Sequence, residues 1–436
     1  MTKEITAFWR ALFLDPVVEL YDARTAERSL HPVGAVRLQA LSVAGTPGDD
    51  DIFGTAGADD IDALGGNDSV AGRGGDDHLE GGGGNDLLKG GAGDDWIAGE
   101  RGRDEIRAGL GKDHVTGGAG ADWIDGLSGD DTLSGDQGDD TLLGGEGHDQ
   151  IRGGSGSDRI SLDPGDDVII GETASFRGGW DMEFDYLVAD RDYGDAALTV
   201  DLRIDGVQDT GLGNDRIVGI EGVVGGHADD RLIGDGNDNV FNGMGGKDFL
   251  SGGRGDDILL GELGSDTLRG GSGVDLIKGH SGDDILRGGA GDDFLDGGYA
   301  ADTLTGGAGD DTFVFYRGVG GKTKSNRDVV TDFTRGEDIL VFSDFAPTFA
   351  HDYPEILFSG TTAAAYSVWH SEIADGVLVK VDANGDAAFD YKVKLRGLTE
   401  IGAEDVTFED FRLHGDDLDP FKDQGVWQDT NSGLLF

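Results

Sequence analysis

The chain has no cysteine among its 436 residues, which excludes a disulfide framework and any thiolate metal site, although it does not by itself identify a compartment. Positive charge is scarce. Lys and Arg number 34 against 87 Asp and Glu, for a formal net charge of −53, so the surface repels phosphate backbones and anionic lipid and lacks the basic patch that nucleic-acid binding needs. Cations are its natural partners. Long apolar runs are missing too: nothing approaches the roughly 18 residues of a transmembrane helix. The segment Ile5 to Leu14 is interrupted by Arg10 and runs into Asp15-Pro16 with no small-residue cleavage site, so a cleaved secretory leader is not expected. Catalytic signatures are equally scarce. There is no HExxH and no G-x-S-x-G, and Gly321-Lys322-Thr323 has Tyr316 where a P-loop needs its upstream glycine.

Glycine, by contrast, is abundant at 81 residues, and it is periodic. From Gly45 to Ile170 the chain divides into fourteen consecutive nonapeptides without insertion or deletion. The fourth position is always Gly, from Gly48, Gly57 and Gly66 through Gly165. The sixth is always Asp: Asp50, Asp59, Asp68, Asp77, Asp86, Asp95, Asp104, Asp113, Asp122, Asp131, Asp140, Asp149, Asp158 and Asp167. The eighth is always Ile, Leu or Val. A second array of ten units runs from Gly225 to Val314, with Asp230, Asn239, Asp248, Asp257, Asp266, Asp275, Asp284, Asp293, Asp302 and Asp311 at the sixth position and aliphatic residues or Phe at the eighth. Its first two units are degraded, with Ala228 and Asn237 in the glycine column, as terminal repeats often are.

Glycines at positions one, two and four permit a tight turn whose carbonyls approach a ligand closely. The triplet that follows is a minimal strand with its middle residue pointing inward. Two nonapeptides therefore make one coil, and units n and n+2 stack on the same flank about 4.8 Å apart. Asp50 then lies over Asp68 and Asp59 over Asp77, and stacked carboxylates at that distance need a cation between them. Hard oxygen donors with no His or Cys column select Ca²⁺ over Zn²⁺ or copper. Solvated turn aspartates would interchange with Asn or Ser, which these columns almost never do. One buried aliphatic side chain per nine glycine-rich residues is too little to hold such a unit ordered, so the ion is expected to be required for folding.

Units such as Gly90-Gly91-Ala92-Gly93-Asp94-Asp95-Trp96-Ile97-Ala98 and Gly288-Gly289-Ala290-Gly291-Asp292-Asp293-Phe294-Leu295-Asp296 resemble the RTX nonapeptide G-G-x-G-x-D-x-U-x, a Ca²⁺-binding parallel β-roll repeat. The resemblance implies that each ion is held by sixth-position Asp side chains and turn carbonyls of two stacked loops. It implies on the order of 12 ions in the first array and 8 in the second if every gap fills. Metal ligands are thus expected at all fourteen aspartates of the first column and at Asp230, Asp248, Asp257, Asp266, Asp275, Asp284, Asp293, Asp302 and Asp311 of the second. RTX proteins typically leave the cell unfolded through a type I secretion machinery that reads an uncleaved C-terminal signal, and fold in extracellular calcium. The terminal Asn431-Ser432-Gly433-Leu434-Leu435-Phe436, apolar after an acid-rich stretch, is compatible with such a signal.

The expected architecture is all-β: two parallel β-rolls, 45–170 and 225–314, joined by an irregular coil at 171–224, with a short helical N-terminal cap at 1–44 and a β-rich capping and secretion-signal region at 315–436. Ile5, Phe8, Trp9, Leu12 and Phe13 have helical spacing before Pro16, suited to covering the open end of the first roll, with a membrane or partner contact as the alternative. In the coil, Gly213-Asn214-Asp215-Arg216-Ile217 reads as a lone repeat out of phase with the second array. Asp181, Glu183 and Asp185 read as a solvated strand face or an extra metal site, the former favoured. Asp328 to Ile339 resembles the segment that closes RTX rolls in serralysin-type metalloproteases, and Val379 to Asp386 with Phe389 to Leu395 a later hairpin of that domain. Asp382, Asn384 and Asp386 lack the glycine and glutamate of an EF-hand and read as a hairpin turn.

His78 and His114 share a flank two coils apart, too far to ligate one ion, and Trp96 and Trp123 fall on opposite flanks. Val240, Ile258, Leu276 and Phe294 make an apolar outward column, which residues 315–436 are expected to fold back and cover; a column left open for a partner is the alternative. No enzymatic activity is expected. The favoured reading is a secreted, extracellular Ca²⁺-dependent structural or interaction protein, with surface-layer, matrix and adhesive roles open and a cell-surface or matrix partner compatible. The other is an accessory module of an RTX exoenzyme (protease, lipase or polysaccharide-modifying enzyme) without its catalytic part.

Overall fold

The computed structural model describes residues 41–172, 184–189, 195–316, 328–343, 357–359, 361–362, 367–382 and 391–407. The helix expected at 5–13 lies outside them. Among the described residues everything regular is β-strand except one 3₁₀ turn, Ala403–Asp405. Strands pair in parallel with an offset of 18 residues, as in Asp60↔His78 and Ser69↔Leu87, so one coil is two nonapeptides. The eighth-position residues fill the interior: Ile61, Leu79, Leu88, Ile97, Leu232, Phe241 and Leu286 are all fully buried. Between strands the chain reverses at the fourth position, where Gly66 to Gly156 hold φ between 101° and 152°, a region closed to most side chains.

Even-numbered units of the first array build a ten-stranded sheet and odd-numbered units open a sixteen-stranded one. The sixteen-stranded sheet does not end with the first array. Arg159–Leu162 pairs with Tyr186–Ala189, which pairs with Gly222–Val224, which pairs with Val240–Asn242 of the second array. On this face the two arrays form one sheet rather than two joined rolls. Leu187 and Val223, both fully buried, continue the inward column through the connecting segment and keep the ladder in register. The other face is interrupted. The ten-stranded sheet closes with Asn214–Val218 and the antiparallel Val207–Asp209, and an eleven-stranded sheet opens with Thr199–Asp201. Asn214–Val218 stacks on Val168–Ile170, so the lone repeat at 213–217 is the last coil of the first array on that face. Residues 42–44, assigned to the N-terminal cap by sequence, are the first strand of the roll, paired with 60–62.

Beyond Val314 the described residues extend both sheets. Asp328–Val330 stacks on Thr303–Ala308, and Ile339–Ser343 on Thr312–Tyr316. The hairpin read at 379–395 is present as Gly376–Asp382 antiparallel to Tyr391–Arg396; Asn384 and Asp386 lie outside the described residues. These strands continue the ends of the roll instead of folding back over the even flank. Ile258, Leu276 and Phe294 are half-buried, because directly registered neighbours 18 residues apart pack along the outer column. A small outer cluster of Tyr186, Val188, Val224, Val240 and Leu260 sits where the arrays meet.

Ala300 holds a fourth-position turn at φ 90°, where Gly stands in most units. Ala300→Gly is expected to raise the stability of the calcium-loaded protein by about 1 kcal/mol, read as a higher denaturant midpoint; an unchanged or lower midpoint contradicts the strain.

Candidate metal centre

The sixth-position aspartates form continuous buried ladders. Asp59, Asp77, Asp95, Asp104, Asp140, Asp248 and Asp302 are each 1–3% exposed. Each side chain is fixed by the coil before it. The Asp59 N–H donates to Asp77 Oδ1 at 2.7 Å, Asp86 N–H to Asp104 Oδ1 at 2.8 Å and Asp284 N–H to Asp302 Oδ1 at 2.9 Å. One oxygen of every internal aspartate is thereby committed to the backbone of its neighbour.

The second oxygen divides the column in two. In Asp68, Asp77, Asp86, Asp95, Asp104, Asp113, Asp122, Asp131, Asp140, Asp149, Asp158 and Asp167, and again in Asp248, Asp257, Asp266, Asp275, Asp284, Asp293, Asp302 and Asp311, Oδ2 is buried and has no hydrogen-bond partner. The remaining predicted ligands, Asp50, Asp59 and Asp230, start their ladders, and protein donors satisfy their second oxygen: the Thr46 N–H at 2.6 Å, the Thr55 N–H, and the Gly226 N–H at 2.8 Å. Asn239 is satisfied in the same way by the Asp235 N–H at 3.0 Å.

Three carboxylates missed by the nonapeptide frame also lie in the ladder. Asp158 N–H donates to Asp185 Oδ1 at 2.9 Å, Asp185 N–H to Glu221 Oε2 at 3.0 Å, and Asp167 N–H to Asp215 Oδ1 at 2.8 Å. Asp185 is therefore a buried ladder residue, not part of a solvated strand face; Asp181 and Glu183 lie outside the described residues. The sequence separations of 27 and 48 residues hid this alignment, and the only signal was the D-x-U triplet itself. Asp328 and Asp338 continue the ladders past the last repeat, below Asp302 and Asp311 at 3.1 and 3.0 Å.

Main-chain oxygens line the same turns. A β-carbon built on Gly91 would lie 2.3 Å from the Arg73 carbonyl, and one on Gly93 2.2 Å from the Gly75 carbonyl. One on Gly72 would meet both Asp77 Oδ2 at 2.3 Å and the Gly90 carbonyl at 2.9 Å, so the turn has room for oxygens and none for a side chain. Among the described residues no three Asp, Glu or His side chains converge. The donors that line these turns are carboxylate and carbonyl oxygens alone, a hard set of the kind that fits Ca²⁺.

Burial without a counter-charge pushes these carboxyls up, to about 6 at Asp77, about 7 at Asp104, about 8 at Asp140 and about 9 at Asp302, with neighbouring carboxylates adding to the effect. Among the described residues no histidine joins these carboxylates in a metal-holding group. His78 and His114 stack on either side of Trp96, ring centroids 4.4 and 6.4 Å away, which keeps them apart and covers both indole faces. Trp123 belongs to the opposite sheet.

The model of the RTX calcium-binding nonapeptide repeat matches residues 44–79, 72–106, 80–115, 107–142, 143–173, 224–259, 260–295 and 287–318. No curated protein matches. Among solved structures, the AlgE6R2 subunit of the Azotobacter vinelandii mannuronan C5-epimerase is 27% identical over 37% of this chain and 88% of its own, with a TM-score of 0.21. The AlgE6R3 subunit of the same enzyme is 20% identical over 42% and 78%, at 0.22. The extracellular lipase LipA of Serratia marcescens is 16% identical over 74% of this chain and 45% of that one, at 0.23. With matched segments covering more than half of its length, each carrying the Asp ladder described above, this chain belongs to the RTX calcium-binding nonapeptide-repeat family.

Proposed function

We propose that this protein is a secreted, noncatalytic scaffold that folds on Ca²⁺ outside the cell, with its sixth-position aspartates as the ligands. One observation carries the reading: a run of buried carboxylate oxygens with no donor, each held in place by the coil before it. Such a group is costly in a protein interior unless a cation meets it. The orphaned oxygens of sixth-position aspartates number twelve in the first array and eight in the second, equal to the stacked gaps counted from the sequence, and we take one ion per such oxygen. Asp50, Asp59 and Asp230 then close the ladders, and the metal columns begin at Asp68, Asp77 and Asp248.

Affinity of extracellular oxygen-ligand modules lies at roughly 10⁻⁴ to 10⁻³ M, which keeps the chain loose in a calcium-poor cytoplasm and suits export through a type I machinery. The sixteen-stranded face offers a long rigid surface for a cell-surface or matrix partner. The alternative, an accessory module of an RTX exoenzyme, finds support in the strands that extend the roll past Val314, which fall in the segments whose sequence resembles the end of serralysin-type metalloproteases. Assay of the secreted protein on casein, lipid esters and alginate separates the two readings, since turnover of any of them favours the second.

In excess EDTA at neutral pH the chain is expected to scatter as an expanded coil, and millimolar Ca²⁺ to compact it with a gain of β signal in circular dichroism. Mg²⁺ should substitute poorly, because it holds its water and demands a small octahedral site. A chain already compact in EDTA contradicts the proposal.

Asp104→Ala removes an orphaned oxygen from the middle of a column, whereas Asp50→Ala removes one that Thr46 already satisfies. The first should raise the calcium midpoint and lower the bound-ion count by at least one; the second should leave the count unchanged. Equal effects argue against the assignment.

The raised carboxyl pKa values make a pH prediction of defined sign. These groups ionise near 4 in an unfolded chain and between about 6 and 9 when buried without metal, so the ion-free fold binds more protons than the unfolded chain across that window. Its stability therefore rises as pH falls. In EDTA the β signal and compactness should increase between pH 8 and pH 5, and a signal that is flat or falls toward acid rules the linkage out.

A further inference from the structure

The turns exist in two backbone states, and the state follows the second position of the nonapeptide. In five turns the second-position N–H satisfies the carboxylate: Thr46 to Asp50, Thr55 to Asp59, Gly226 to Asp230, Thr334 to Asp338, and Glu172 to Asp185 at 2.7 Å, while Asp215 and Asp328 take a hydroxyl instead, from Thr210 and Tyr391. None of these five residues has a positive φ. Where Oδ2 is orphaned, the second position is left-handed. Leu64 (φ 74°) precedes Asp68, Glu100 (74°) precedes Asp104, Leu127 (69°) precedes Asp131, and Gly91 (121°) precedes Asp95. The second array repeats the pattern, with Met244 at 65° before Asp248 and His280 at 67° before Asp284. Asp167 alone departs from it, its second position being Asp163 beside Pro164.

The peptide rotation has a direct consequence. In the left-handed state the N–H turns away from the carboxylate to another acceptor: two residues back for Leu64 on Asp62 at 3.0 Å, Leu127 on Asp125 at 3.1 Å and Met244 on Asn242 at 2.9 Å, and on the next coil for Arg73, which donates to the Gly90 carbonyl at 2.8 Å. The carboxylate then has an oxygen without a donor. In the other state the chain's own N–H stands where a cation's charge would act, and the turn is complete without metal.

We propose that the second-position residue of each nonapeptide sets how tightly its turn binds calcium, by choosing between a closed turn sealed by its own amide and an open turn that requires the ion. The inference rests on the calcium reading above and goes beyond it to a residue that touches no ion through its side chain. Glycine enters the open state without strain, whereas residues with a β-carbon resist it. Turns with Leu64, Arg73, Glu100, Leu127 and Asp136 at this position are accordingly the weak positions of the first array, biased toward closing when calcium falls, and those with glycine, such as Gly91, Gly109 and Gly118, the strong ones. The sequence thus grades affinity along a column whose ligands are identical.

The test replaces Leu64, Arg73, Glu100 and Leu127 together by glycine in the full-length chain, a set in which the lost positive and negative charges cancel, and compares it with the same four set to alanine. Calcium midpoints come from circular dichroism and ion counts from equilibrium dialysis against Ca²⁺. The glycine set is expected to bind the same number of ions as the wild type with a midpoint about threefold lower, and the alanine set, which keeps the β-carbon, to show no such fall. A glycine set with an unmoved or higher midpoint, or an alanine set that falls equally, overturns the role of the second-position backbone. A wild-type chain indifferent to calcium overturns the calcium reading itself and is seen before any variant is compared.

Discussion

The described coils all depend on a carboxylate that gives one oxygen to the coil before it and leaves the other buried without a donor. The first bond fixes the side chain and the register of two coils together, since the N–H of Asp59 reaches Asp77 only if the strands are offset by 18 residues. The second oxygen turns that register into a requirement, because a buried acceptor without a donor destabilises the fold until a positive charge arrives. Hydrophobic burial is present but thin, one inward side chain per nonapeptide, and it selects the inside of the coil without holding it closed. On the proposed reading, metal affinity and folding are two descriptions of one equilibrium.

Most of this was legible in the sequence for a physical reason: a repeat of constant length places like residues over like, so a column in the sequence becomes a column in space. The sixth and eighth positions could be read directly, and Asp77, Asp104 and Leu79 stand where the period puts them. The connecting segment defeated the same logic. Between Glu172 and Asp185 the chain inserts residues inside a turn, so the carboxylate returns to its column at a spacing of 13 where an ordinary turn has 4. Only the geometry reveals that Asp185, Asp215 and Glu221 belong to the ladders. The second position was invisible for another reason. It is occupied by Leu, Arg, Glu, Asp, Met, His and Gly alike, because what matters there is a backbone angle that no single side chain announces.

The ladder ends show how the chain stops a pattern that could otherwise run on. Thr46 and Thr55 seal the first coils with their backbone amides, and Tyr391 places its hydroxyl on Asp328 beyond the last repeat. At the other exit Arg335 sets its guanidinium against Asp405 at 3.0 Å, with Glu400 and Glu404 alongside, a paired charge cluster at the end of the sixteen-stranded face.

The asymmetry of the connecting segment bears on how the rod carries force. Tension along its axis crosses residues 171–224 through hydrogen bonds of the sixteen-stranded face, from Arg159–Leu162 to Tyr186–Ala189 to Gly222–Val224, while the opposite face changes sheets there. A beam continuous on one side and interrupted on the other is stiff against bending that shortens the gap and compliant to bending that opens it. Two rigid arms would therefore flex about a single leaf of backbone, in one preferred direction, leaving the ion-holding turns on either side undistorted.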